Sequence, residues 1–135
     1  MDHVYEYFEQ QRVKFKKLSS GGATEDELDK MFSAFSGGQR GLIDGILHLD
    51  SGAFVHVFER VELEDGRPRR RRYSYYLIVD GLERRGYDRS PTHDPPEHRH
   101  GEAHEMEPWT AVSFDEAGEE FWDILTQIRT AEPEG

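Results

Sequence analysis

Apolar positions recur along this chain in two rhythms, a helical one at the ends and a strand-like one between. Val4, Phe8, Phe15 and Leu18 lie near one helical face of residues 2–18, with no breaker before Ser19-Ser20-Gly21-Gly22. Thr24 and Glu27 then stand at capping-box spacing. Leu28, Met31, Phe32 and Phe35 follow at i, i+3, i+4 and i+7, predicting a second helix that ends at Gly37-Gly38. From Gly41 the period shortens to two. Leu42–Leu49 and Phe54–Leu63 read as strands joined by an Asp50-Ser51-Gly52 turn, and Glu64-Asp65-Gly66 with Pro68 marks the next turn. Tyr73, Tyr75, Leu77 and Val79 alternate with Ser74, Tyr76, Ile78 and Asp80, and after Asp80-Gly81 a fourth strand returns over Leu82–Asp88. Residues 89–108 hold four of the six prolines and four of the seven histidines, and are expected to form a long loop. The last element is a helix capped by Ser113 and Glu116, with Phe114, Ala117, Phe121, Leu125 and Ile128 on one face. Trp122 and Ile124 widen that face, and Ala131-Glu132-Pro133 ends the helix.

Short turns between strands imply antiparallel pairing, because parallel strands need long crossovers. The expectation is one α+β domain over residues 1–135. It comprises a four-stranded antiparallel meander, a C-terminal helix packed on one face, and two N-terminal helices over residues 1–38. Those N-terminal helices belong either to the core or to an interface between copies of the chain in a homo-oligomer.

Composition narrows the function classes. The 135 residues contain no cysteine, which excludes disulfides and thiolate metal sites. No apolar run approaches the roughly 20 residues that span a bilayer, and the first residues lack the pattern of a signal peptide. The expected location is the cytoplasm, with no membrane partner. A net charge of -11 argues against a free-standing nucleic-acid binder. The charge is uneven, however. Residues 67–104 carry nine basic and six acidic side chains, and are the only net-positive segment. No phosphate loop, dinucleotide motif or nucleophile elbow is present, so NTPase, dehydrogenase and serine-hydrolase chemistry fit poorly.

The same positive segment holds the candidate chemistry. His98-Arg99-His100 puts two imidazoles on one side of an extended segment, and His93, His104 and Asp88 lie nearby in sequence. Histidine transfers protons near neutral pH, and arginine beside it suits a phosphate. A metal-independent ribonuclease needs little more. The same residues also suit zinc or another transition metal, or a flexible polar loop with no chemistry. No cofactor is expected, a metal at the histidines being the alternative. The run Arg67-Pro68-Arg69-Arg70-Arg71-Arg72 precedes Tyr73-Ser74-Tyr75-Tyr76. Such interleaving of Arg70 and Arg72 with Tyr75 suits single-stranded RNA, or else merely protects a hairpin tip from aggregation. His3, His48 and His56 read as structural, and Glu59 and Glu62 are strand carboxylates without a motif.

The order of Gly41-Leu42-Ile43-Asp44-Gly45, Glu59, Tyr73-Ser74-Tyr75, Arg85-Gly86-Tyr87-Asp88, His93 and Pro96-Glu97-His98-Arg99-His100 resembles the TumE-type toxin family of prokaryotic toxin–antitoxin modules. The likeness spans roughly residues 41–130. Gly86 stands where that family more often runs arginine directly into tyrosine. The resemblance implies a growth-inhibiting toxin of a type II module, held in check by a helix-turn-helix antitoxin. The mechanism expected from the residues is RNA cleavage or another phosphoryl transfer. His98 and His100 share acid–base duty, His93 or Tyr87 assists, Asp88 orients an imidazole, and Arg89 or Arg99 holds phosphate. The competing expectations are a non-catalytic interaction module and a metal-dependent hydrolase.

Overall fold

The computed structural model describes residues 2–20, 22–50, 52–102 and 105–131. Gly21, Ser51, Glu132 and Pro133, which the expected breaker, turn and helix end include, lie outside them.

Among the described residues three α-helices and seven strands follow in the order α1 (Tyr5–Leu18), α2 (Glu25–Asp29), β1 (Phe32–Phe35), β2 (Arg40–Asp50), β3 (Ala53–Glu64), β4 (Arg67–Val79), β5 (Leu82–Arg89), β6 (Glu97–His100), β7 (Met106–Pro108) and α3 (Phe114–Ala131), with a 3-10 turn over Ser36–Gly38 between β1 and β2. All seven strands form one antiparallel meander in sequence order. The α+β class and the C-terminal helix are as expected, but the sheet has seven strands rather than four.

The three extra strands arise where local pattern and tertiary pairing disagree. Phe32–Phe35 continues the helical spacing of α2, yet that helix ends at Asp29. Phe32 instead pairs with Ile43 and sets its ring against Phe8 and Phe15 at 5.1 and 5.7 Å. A four-residue run of this kind satisfies either period, and the partner strand decides. The expected loop over 89–108 contains β6 and β7, four and three residues long. Neither carries an apolar alternation, so nothing local announces them. The arginine run is likewise strand, not hairpin tip. Glu62 and Glu64 on β3 meet it, Arg71 lying 3.3 Å from Glu62 and 2.6 Å from Glu64, and cross-strand charge pairs take the place of apolar ones. The turns Asp65-Gly66 and Asp80-Gly81 have positive φ at both residues, as two-residue hairpins require.

One face of the sheet is covered. Val55, Val57 and Val61 of β3 and Tyr73, Tyr75, Leu77 and Val79 of β4 point into a core completed by Phe8, Phe15 and Leu18 of α1 and Phe114, Phe121 and Leu125 of α3. α1 is thus part of the core. The Ser113–Glu116 capping box forms as the spacing predicts. Trp122 Nε1 donates to the Leu18 carbonyl at 3.0 Å, and Arg129 reaches Asp50 at 3.2 Å, so α3 is tied to α1 and to a hairpin end. The opposite face stays open. Its side chains, among them Ile46, His56, Arg60 and Arg72, are exposed, and Phe54, Phe58 and Ile78 are half-buried.

Candidate functional site

Strand register assembles a cluster on the open face. Ile46, His56, Tyr76, Gly86 and His100 form one cross-strand row, and Asp44, Phe58, Ser74, Asp88 and His98 form the next. Asp88 sits at the centre. His100 Nε2 lies 2.9 Å from Asp88 Oδ2, and the Tyr76 hydroxyl donates to the same oxygen at 2.8 Å. Burial, with Asp88 beside it, holds the Tyr76 phenol above its usual range. His98 is buried beneath this group, its Nδ1 3.9 Å from Asp88 Oδ1, and neither atom has a hydrogen-bond partner. His93, exposed on the loop before β6, sets its ring edge-on against His98 at 5.6 Å. Gly86 makes the arrangement possible. A Cβ there would lie 2.3 Å from two carbons of the Tyr76 ring, so only glycine lets that ring lie across β5 to reach Asp88.

Strand alternation sends Tyr75, Tyr87, Arg89 and Arg99 to the covered face, and the β3–β4 register shift that skips Arg71 turns Arg70 there as well. Tyr87 packs toward Phe121 at 6.0 Å between ring centres. Arg89 binds Glu97 at 2.7 Å, and Arg99 pairs with Glu107 and stacks 3.8 Å over Trp109. Arg70 donates to the Tyr75 hydroxyl at 3.0 Å and to the Val112 carbonyl at 2.7 Å, and Tyr75 is fully buried. These five residues do not join the histidines. Arg72 does share their face, 5.8 Å from the Phe58 ring centre. His48 and His56 are exposed on the open face, His56 bonded to Asp44 at 3.1 Å. His104 lies outside the described residues. Among the described residues no three His, Asp or Glu side chains are arranged to hold a metal ion.

The family comparison bears on this geometry. A family model described as toxin TumE matches residues 24–130. The chain belongs to the TumE family. The match takes in α2 and β1, so it begins earlier than the motifs from Gly41 onward suggest, and it contains the whole cluster around Asp88. Among curated proteins and solved structures, none matches.

A second polar group centres on Glu59, which reads in the sequence only as a strand carboxylate without a motif. Glu59 of β3 is completely buried. It accepts hydrogen bonds from the Tyr7 hydroxyl and, at 2.7 Å, from Gln11 Nε2, both on α1 and both ahead of the match. Burial pushes its carboxyl up, against the opposing pull of Tyr7 and Arg70. The network continues through Arg70, which lies 4.2 Å from the Tyr73 ring centre, to the Tyr73 hydroxyl and Glu97. The signal was present. Glu59 is in phase with Val55, Val57 and Val61, and Gln11 with Phe8 and Phe15. Tyr76 was visible only as the polar-face partner of Tyr75.

Proposed function

We propose that this chain is the toxin of a type II toxin–antitoxin module and cleaves RNA at the open-face cluster by metal-independent acid–base catalysis. The observation that carries the reading is the His100 imidazole bonded to the Asp88 carboxylate, with His98 beneath that carboxylate and the His93 ring edge-on against His98. Asp88 accepts the Nε2 proton of His100, leaving Nδ1 with the lone pair of a general base. His100 then takes the proton of a ribose 2′-hydroxyl. The 2′-oxygen bonds to phosphorus, the bond from phosphorus to the 5′-oxygen breaks, and that oxygen takes a proton from the His93 imidazolium. His98 is too buried to share this duty, and it positions His93 instead. The products are a 2′,3′-cyclic phosphate and a 5′-hydroxyl. A helix-turn-helix antitoxin, as the TumE likeness implies, would silence the protein by covering this face.

Growth inhibition and RNA cleavage are to be measured together for the wild type and for His93→Ala, His98→Ala and His100→Ala. Loss in the His93 and His100 variants, with cyclic-phosphate ends from wild type in the presence of a chelator, is the expected result. Full activity in both of those variants sinks the assignment. Inert wild-type protein that still binds its antitoxin favours a non-catalytic interaction module.

A further inference from the structure

Two arginines confront each other on the open face without a counter-ion. Arg60 of β3 and Arg72 of β4 are direct cross-strand partners, both exposed, and like charges so placed repel. Among the described residues neither has a carboxylate within 4.0 Å, whereas their neighbours Arg69 and Arg71 are both paired with Glu64. Shortage of acid is not the cause, since the chain has 28 acidic side chains against 17 basic. A row of opposed cations in an acidic protein is the arrangement an external anion relieves.

What lies beside the pair identifies the anion. The Arg72 guanidinium is 5.8 Å from the ring centre of Phe58, which is half-buried on the same face. Phe58 in turn shares a cross-strand row with Ser74, Asp88 and His98. It sits two strands from Asp88, about 10 Å at ordinary strand spacing. Cations, then an aromatic, then the imidazoles form a continuous strip across β3 to β6. A sheet surface of this kind takes single-stranded nucleic acid, whose bases are free to stack, rather than a duplex. The acid–base cluster at its end requires a 2′-hydroxyl.

We infer that the Arg60–Arg72–Phe58 strip is the binding track for single-stranded RNA, a subsite next to the reacting phosphate. Arg60 and Arg72 hold two adjacent backbone phosphates, and Phe58 stacks a neighbouring base. The inference rests on the RNA-cleaving reading but concerns different residues, so the two can fail separately.

The test is fluorescence anisotropy of a short fluorescein-labelled oligouridylate titrated with full-length protein over a range of salt. All proteins carry His100→Asn so that the probe survives. Adding Arg60→Gln and Arg72→Gln should weaken binding roughly tenfold or more and reduce the slope of log K against log salt by about 1.4, from two phosphate contacts on a single strand. Phe58→Leu should weaken binding roughly fivefold or more and leave the slope unchanged. Because relief of opposed charge should not harm folding, the arginine variant is expected to melt at or above its parent. RNA binding that is absent in the parent, or equally tight in the arginine variant, overturns the track. So does retained RNA binding with loss of a co-expressed antitoxin, which would assign the arginines to an acidic protein partner. RNA cleaved by His100-intact protein whose binding ignores Arg60 and Arg72 leaves the catalytic cluster standing without the track. Binding that depends on both arginines in a protein that never cleaves leaves the track without the cluster.

Discussion

The two faces of the sheet handle polar groups in opposite ways. On the covered face Glu59, Tyr75, Arg70 and Tyr73 are buried or nearly so, and each finds partners: Tyr7 and Gln11 for Glu59, Tyr75 and Val112 for Arg70, Glu97 for Tyr73. On the open face Asp88 Oδ1 and His98 Nδ1 have none, and Arg60 and Arg72 oppose each other. Buried polar atoms without partners cost stability. The catalysis proposed for the open face gives their presence beside two imidazoles and a carboxylate a reason. The covered face holds the protein together. The division does not extend to every atom, for Arg85 Nε also lacks a partner while its guanidinium binds Glu120 at 3.1 Å on the covered side.

The faces are not separate if a change on one has the effect assigned to the other. Phe121→Ala empties the centre of the core and should cost about 3–5 kcal/mol in urea unfolding, with the remaining folded fraction still fully active. A drop in activity per folded molecule would show that the faces are coupled. Gly86→Ala comes next. Its new methyl group displaces the Tyr76 ring and should cost about 1–3 kcal/mol, with loss of activity out of proportion to the loss of fold. Normal activity in that variant would remove Tyr76 from the site.

Tyr7→Phe acts on the covered face alone. It strips one donor from buried Glu59 and should cost about 1–3 kcal/mol without touching the open face. The pH dependence carries a definite sign. Because burial raises the Glu59 carboxyl above the ordinary carboxylate range, the folded state binds its proton more tightly than the unfolded chain does. Glu59 therefore favours folding most below the ordinary carboxylate range, and that contribution is lost as pH rises through the higher folded value. Glu59→Gln should gain on wild type over the same interval, read as the difference in urea midpoint from pH 4 upward. A difference that shrinks with rising pH would mean that Tyr7, Gln11 and Arg70 outweigh burial. The smallest effect belongs to the opposed arginines. Arg60→Gln with Arg72→Gln should leave stability unchanged or raise it by about 0.2–1 kcal/mol.

Much of this division was legible in the residues. Alternation in Phe54–Leu63 and Tyr73–Val79 placed strands β3 and β4, and the Ser113–Glu116 pair placed the start of α3. The His98/His100 spacing correctly put both on one side of an extended segment. The same rule separates Tyr87, Arg89 and Arg99 from Asp88, His98 and His100, and following it would have removed them from the site at once. Other features depend on the fold itself. Phe32–Phe35 chose a strand because β2 was there to pair with it. β6 and β7 exist through pairing with β5 and with each other. The role of Gly86 emerges only when Tyr76 is seen lying across it.

The most direct test of the open face as the catalytic one is the single-turnover rate of RNA cleavage by folded His100→Ala protein. The expected result is a loss of roughly 100-fold or more, the usual scale for removing a general base, with an unaltered melting curve. Cleavage at the wild-type rate by that folded protein would contradict it.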